Sequence, residues 1–215
     1  MLTLKKGILI AIEGIDGSGK SSLAKNLFHE LEKREYPVIL TKEPGGTQLG
    51  QQLRQLVQEK KMPICAEAEF MLFATDRAQH FHELIGPELS KKKIIISDRM
   101  ADSSLVYQGY GRGLDITTIK MVNEWVMNGI RPDITIFVKV PAQVAAQRIA
   151  QRNATLTAFE KEKTDFIQKL VYGFNELYKN RNDVIIIDGN QSLDNVTHQA
   201  TTALITWITQ HQLMQ

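Results

Sequence analysis

The sequence predicts a three-layer α/β/α fold, in which a five-stranded parallel sheet carries helices on both faces, and three observations point to it. Five short apolar runs recur along the chain, at Ile8 to Ile12, Pro37 to Thr41, Ile94 to Ser97, Ile134 to Val140 and Val184 to Asp188. They are rich in Ile and Val, nearly continuous rather than alternating, and end in polar or turn residues, which is the pattern of strands buried on both faces. Long segments of helical period separate each run from the next, so the units are strand, helix, strand, and the sheet is parallel. The first run breaks into the glycine-punctuated stretch Gly14, Ile15, Asp16, Gly17, Ser18, Gly19, Lys20, Ser21 and Ser22, and Leu23, Ala24, Leu27, Phe28 and Leu31 then recur at helical spacing. A chain of 215 residues with 43% hydrophobic and 23% charged residues fits one domain over residues 1–215 with a sizeable core.

Taken in order, Ile8 to Ile12 is too short for a helix and too β-branched to favour one. The loop after it spells G-x-x-x-x-G-K-[ST], the phosphate-binding P-loop, in its required setting between a strand and a helix. Glycines allow successive backbone NH groups to converge on one anion at a positive helix end. Gly14 to Ser22 are therefore the predicted nucleotide contacts of a P-loop NTPase fold, with Lys20 bridging the outer phosphates and Ser21 a ligand of Mg²⁺.

At the end of strand two, Lys42, Glu43, Pro44, Gly45, Gly46 and Thr47 form a second glycine turn. Thr47 to Lys60 follows as an amphipathic helix with Leu49, Leu53, Leu56 and Val57 inward; Pro63 breaks the chain; and Ala66 to Ser90 continues helically, bent near Gly86 and Pro87. A plain crossover needs only about a dozen residues, so the surplus is a surface for a second ligand or a partner. Strand three ends in Asp98 and Arg99, where an acidic residue beside a P-loop is placed to hold Mg²⁺ or its water. Pro141 opens a helix running to Arg152. Asn153 to Glu162 is polar and aperiodic, the character of a mobile lid, which is bounded here at about 148–162. Phe166, Leu170, Phe174 and Leu177 mark another helix, and Leu193 to about Ile208 the last. Ligands of such a sheet sit beyond the carboxyl ends of its strands, where Asp16, Glu43, Asp98 and Arg99 all fall.

Bulk charge narrows the function. With 26 basic against 24 acidic residues the net charge is +2, which gives no broad footprint for nucleic acid or an anionic membrane. The single cysteine, Cys65, excludes an internal disulfide and offers no metal cluster. Lys5 and Lys6 precede an apolar run that Glu13 and the glycines cut too short for a signal peptide, and no segment is long enough to span a membrane. The expected location is the cytoplasm, where the sequons at Asn153 and Asn195 are chance matches.

Together the P-loop GIDGSGKS, the turn KEPGGTQLG, the helix segment EFMLFATDRAQ, the strand end ISDRM, the segment DSSLVYQGYGRG and the strand opening RPDITIFV resemble the bacterial thymidylate kinase family, in order from Gly7 to about Asn190. The resemblance implies transfer of the γ-phosphoryl of ATP to thymidine monophosphate (dTMP), giving the diphosphate, with Mg²⁺. Position by position it implies that Phe73 stacks on thymine, Arg77 hydrogen-bonds the base, and Ser104 and Gln108 help to read it. Tyr107 crowds the 2′ position, Asp16 meets the 3′-hydroxyl, Arg54 and Arg99 hold the acceptor phosphate, and Glu43 sits near the phosphates and metal. Taken alone, Phe73 and Tyr107 at helical spacing are more often core than stacking platform, whereas arginine is the residue suited to planar recognition of a base edge or phosphate.

The implied catalytic set is Lys20, Arg99, Asp98, Asp16 and Arg152, with Ser21 and Asp98 on the metal. No dedicated base is needed, because a phosphate monoester with a second pKa near 6 is already mostly dianionic at neutral pH. Arg99, as a strand-end surface residue, is expected to serve turnover and not folding. One departure stands out: where members of the family whose P-loop lacks an arginine carry D-R-x-E in the lid, this chain has Thr157, Ala158, Phe159 and Glu160, leaving Arg148 and Arg152 upstream. Arg148 also reads as an exposed helix charge. The family pairs as homodimers, for which Ala66 to Ser90 offers a face. Two other readings stay open: a deoxynucleoside kinase, whose neutral acceptor hydroxyl wants a carboxylate base, and a GTPase-like switch, whose guanine-reading element is approached only by Thr41 to Pro44 without its aspartate.

Overall fold

A computed structural model describes residues 2–59, 62–152 and 155–214. Among them the five apolar runs form strands β1 (Ile8–Glu13), β2 (Val38–Lys42), β3 (Ile94–Asp98), β4 (Ile134–Lys139) and β5 (Val184–Asp188), all parallel, in the order β2-β3-β1-β4-β5. The connections leave β1 in opposite directions, to β2 on one side and later from β3 across to β4. The carboxyl ends of the central strands therefore open a crevice at a topological switch point. Register puts Asp98 level with both Ile12 and Lys42, so the P-loop, the second glycine turn and the Asp98 corner converge there.

The helices are α1 (Lys20–Lys33), α2 (Gln48–Glu59), α3 (Ala66–His80), α4 (Gly86–Ser90), α5 (Ala101–Ser104), α6 (Ile116–Val126), α7 (Ala142–Gln151), α8 (Thr164–Tyr178) and α9 (Leu193–Gln210). Successive strand side chains point to opposite faces. Ile8, Ile10, Ile12, Ile94, Ile96, Ile134 and Ile136 accordingly pack with Leu23, Leu27 and Leu31 of α1 and Val196, Ala200 and Leu204 of α9 on one face. Leu9, Ala11 and Ile95 meet Phe81, Ile85 and Met127 on the other. Phe137 of β4 also stacks there on Phe174 of α8 at 5.3 Å between ring centroids. Among the described residues no helix is long and apolar enough to cross a membrane.

Several expectations are revised. Leu49 and Leu56 do not face inward: they are exposed, and Gly50 and Val57, seven residues apart on one stripe, are the buried residues of α2. The cause is close docking, since a Cβ on Gly50 would lie 2.2 Å from Asp76 Oδ1. The end of that helix expected at Lys60 lies outside the described residues. The irregularity in Ala66 to Ser90 comes before Gly86: the chain widens to a π-helix over Phe81–Ile85, and Gly86 itself has helical angles. Pro141 caps α7 from outside and does not open it. A second π-helical segment, Leu105–Gly111, continues α5 and packs against α8.

Candidate active site

The P-loop ends in the left-handed backbone of Gly19 (φ 94°), which caps α1 and makes Lys20 its first residue. Gly17 is also left-handed, and a Cβ there would lie 2.4 Å from Ala145 O, so only glycine fits. Lys20 is buried, yet among the described residues its ammonium makes only long contacts, 3.4 Å to Ile15 O and 3.5 Å to Asp16 Oδ1. Burial and the Arg99 charge push its pKa down against the pull of Asp16 and Asp98. Ser21 Oγ donates to Asp98 Oδ2 at 2.5 Å, while Asp98 Oδ1 is buried with no hydrogen-bond partner among the described residues, as is Ser18 Oγ.

Arg99 links this loop to the rest of a cavity of about 430 Å³. Its backbone is left-handed (φ 75°), a strained state for a residue with a side chain. Nη1 donates to Gly14 O and Ser103 Oγ, both at 3.0 Å, and Nη2 to Asp16 Oδ1 at 2.6 Å and Tyr107 Oη at 2.9 Å. Tyr107 Oη in turn donates to Asp16 Oδ2. Burial would raise the Asp16 pKa, but the charges of Arg99 and Lys20 overcome it and hold the carboxyl well below the usual range. Arg99 is thus no strand-end surface charge. Four bonds to partly buried partners make its removal a loss to folding as well, against the expectation above.

Behind Arg99 lies Glu13, fully buried at the end of β1. Its Oε1 accepts from the backbone NH groups of Met100 and Ser103 and its Oε2 from Ser103 Oγ at 2.6 Å, so one carboxylate fixes the corner that carries Arg99. Burial, resisted by Arg99, pushes its pKa up to about 7.

At the opposite end Arg77 of α3 is only 2% exposed. Its Nε donates to Glu43 Oε2 at 2.8 Å, and its Nη1 donates to Asn123 Oδ1 at 2.6 Å and Ser104 Oγ at 3.2 Å. Glu43 Oε1 lies 3.0 Å from His80 Nδ1, whose Nε2 meets Thr41 Oγ1 at 2.7 Å. Burial raises the Glu43 pKa, but Arg77 and His80 more than reverse that. Both Glu43 oxygens are committed to Arg77 and His80, so this residue holds Arg77 in place. Asp76 accepts from Gly45 NH, and burial together with Glu43 pushes its pKa up to about 6. Arg54 donates to Pro44 O.

On the third side, Thr157, Phe159 and Glu160, in the stretch expected to form a lid, line the cavity; Asn153 and the residue after it fall outside the described residues. Arg152, which caps the end of α7, donates to Glu160 Oε1 at 2.6 Å. Arg148 is not an exposed helix charge. It bridges Ser18 O and Gly189 O, at 3.2 and 2.7 Å, tying the P-loop to the end of β5.

With this geometry in view, a family model described as thymidylate kinase matches residues 12–200. The chain belongs to the thymidylate kinase family. It is 39% identical over 193 residues to the thymidylate kinase of Halothermothrix orenii, covering 89% of this chain and 93% of that one. To the thymidylate kinase of Staphylococcus epidermidis it is 37% identical over 200 residues, covering 93% and 98%. The crystal structure of thymidylate kinase from Ehrlichia chaffeensis superposes with a TM-score of 0.75 at 31% identity, over 93% of this chain and 99% of that one.

The cavity gathers most of the site residues that the sequence singles out. Asp16, Gly17, Gly19, Lys20, Ser21 and Ser22 line it with Glu43, Arg54, Phe73, Arg77, Asp98 and Arg99, and so do Ser104, Tyr107, Gln108 and Arg152. Gly14, Ile15 and Ser18 do not line it; Ile15 is buried among apolar side chains and Ser18 is covered. Sequence reasoning missed Glu13, His80, Ser103, Asn123 and Phe159. Only Glu13 left a local signal, a carboxylate at the end of an otherwise apolar strand.

Proposed function

We propose that this chain transfers the γ-phosphoryl group of ATP to dTMP, as one kinase domain whose lid spans about 148–162. The observation that carries the reading is that one cavity is lined by Lys20 and Ser21 of the P-loop, by Arg99, and by Phe73, Arg77 and Gln108. Triphosphate anchoring and a planar, partly polar base slot thus share one space.

In this reading the loop NH groups and Lys20 hold the donor phosphates, and the loosely paired ammonium of Lys20 gives up little to do so. Arg99, whose Nε is not spent on the four bonds above, holds the acceptor phosphate with Arg54, and Arg152 approaches from the lid as the charge moves. Asp16 and Tyr107, locked to Arg99 and to each other, orient the sugar. Arg77 presents Nη2, which makes no hydrogen bond among the described residues, to a thymine carbonyl, while Phe73 offers an aromatic face and Ser104 and Gln108 polar edges. The acceptor oxygen is already deprotonated at neutral pH, so alignment and charge neutralisation are the work.

A divalent cation fits this donor set. Among the described residues no cluster of three His, Cys, Asp or Glu forms a protein cage, and Mg²⁺ takes one or two protein oxygens plus phosphates. Ser21 and Asp98, with its unpartnered Oδ1, would hold it. The ion would supply neutralisation of phosphate charge.

The chain is further read as a cytoplasmic homodimer. Exposed Met71, Met121 and Trp125 lie on α3 and α6, with Leu49 and Leu56 on α2. These helices pack side by side, so their exposed faces offer an apolar surface to a second copy. Light scattering should give twice 24.3 kDa, and a monomer would refute the pairing.

An ADP-release assay across dTMP, thymidine and the uridine, cytidine and guanosine monophosphates tests the activity. Much the fastest turnover is expected with dTMP. Equal rates for all the monophosphates, or a preference for thymidine, would refute the reading.

A further inference from the structure

The lid of this chain has alanine where the family pattern carries an arginine, and beside it stands a phenylalanine. The described lid contacts with the rest of the chain reach the acceptor end of the cavity. Ala158 NH donates to Gln58 O of α2 at 2.9 Å. Phe159, only 8% exposed, turns its ring onto Phe73 of α3 (centroids 5.9 Å apart) and edge-on to Tyr107 (5.8 Å). Glu162 pairs with Arg112 Nη2 at 2.6 Å. Arg112 also reaches Glu69, and Glu69 accepts from Gln108 Nε2 at 3.0 Å. A continuous path of contacts thus joins the lid to Phe73, Tyr107 and Gln108, the side chains that line the base end of the cavity.

Phe159 packs in one apolar cluster with Tyr107 and Phe166, against Phe73, so its burial stabilises the fold in any case, and its position beside the cavity gives that burial a second consequence. Phe159 lines the cavity itself, and an aromatic wall beside Phe73 gives a flat base apolar contact on a side that the sheet does not supply. From this we infer that Phe159 is an acceptor-binding residue carried by the lid, so that docking of the lid and binding of the pyrimidine nucleotide are one event. The inference rests on the thymidylate reading above and adds that the lid belongs, in binding terms, to the acceptor.

Calorimetric titration of dTMP without ATP, and of ATP without dTMP, separates the roles in the wild type, Phe159→Ala, Phe159→Leu and Glu162→Gln. Loss of one good aromatic contact is on the order of 1 kcal/mol. Phe159→Ala should therefore raise the dTMP Kd about fivefold and leave the ATP Kd within about twofold. Phe159→Leu should fall between, and Glu162→Gln should weaken dTMP a few fold. If Phe159→Ala does not fold, Phe159→Leu and Glu162→Gln carry the same comparison. Equal weakening of both ligands, or unchanged dTMP binding in every variant that folds, would overturn the inference alone. A wild type that binds no dTMP would overturn the thymidylate reading and this inference with it.

Discussion

Lys20 at the donor end of the cavity has contacts of 3.4 and 3.5 Å, whereas Arg77 at the acceptor end makes bonds of 2.8, 2.6 and 3.2 Å. Both cations are buried, yet one has been left short of partners and the other has been given nearly all it can take. In the proposed function their tasks differ in kind. A phosphate brings enough charge to satisfy a lysine, so a loosely held ammonium is ready for it. A neutral base brings only a carbonyl edge, so its reader must be fixed beforehand by Glu43, Ser104 and Asn123, with one edge turned to the cavity. Arg99 lies between them and is nearly saturated by its surroundings.

The sharpest way to break this contrast is Arg77→Ala. Removing Arg77 strips the buried Glu43 Oε2 of its charged partner and leaves His80 as its remaining contact, and a loss of about 3–5 kcal/mol in folding stability is expected by urea denaturation. Near-native stability would mean that the network is incidental. Next comes Lys20→Ala, where the signs reverse. Turnover should fall about a hundred- to a thousandfold, while the urea midpoint stays close to that of the wild type because no short bond is lost. A protein that unfolds early would erase the distinction.

A smaller effect sharpens the account of Arg99. The folded pKa of Glu13 is raised from 4.5 to about 7. Below pH 4.5 both folded and unfolded chains hold the proton; between 4.5 and 7 only the folded chain does. Stability from this group is therefore present at low pH and lost as pH rises to about 7, an effect on the order of 3 kcal/mol. Asp16 has the opposite sign but acts below its ordinary range, outside this window. Thermal midpoints from pH 5 to 7.5 should fall more steeply for the wild type than for Glu13→Gln. Parallel profiles would show that the Glu13 pKa is not raised.

The two ends also differ in how far they could be read from sequence. The donor end is one strand, turn and helix whose glycine spacing follows from backbone geometry, and the five strands announce themselves through continuous burial. The acceptor residues Phe73, Arg77, Tyr107 and Gln108 were named through the resemblance, since their own spacing equally suits a core. The supporting residues were not legible: His80, Ser103 and Asn123 sit in ordinary helical contexts and acquire meaning only when β1, β2, α3, α5 and α6 are brought together. Leu49 and Leu56 misled because amphipathic period fixes which residues share a stripe, not which stripe docks. Close approach at Gly50 decided that. The polar lid hid Phe159 because a single ring has no period.

The order β2-β3-β1-β4-β5 has a consequence for synthesis on the ribosome. The strand that launches the P-loop is made first, and every residue of it is buried in the folded protein. Yet neither of its sheet neighbours, β3 or β4, is the next strand made; the nearer begins at Ile94. At about 5–20 residues per second, β1 waits on the order of ten seconds for its first partner. During that interval β2 has already emerged and cannot shelter it. A nascent chain stopped before β3 would expose the apolar β1 with no sheet to join, a stretch of synthesis in which an unpaired strand is open to aggregation.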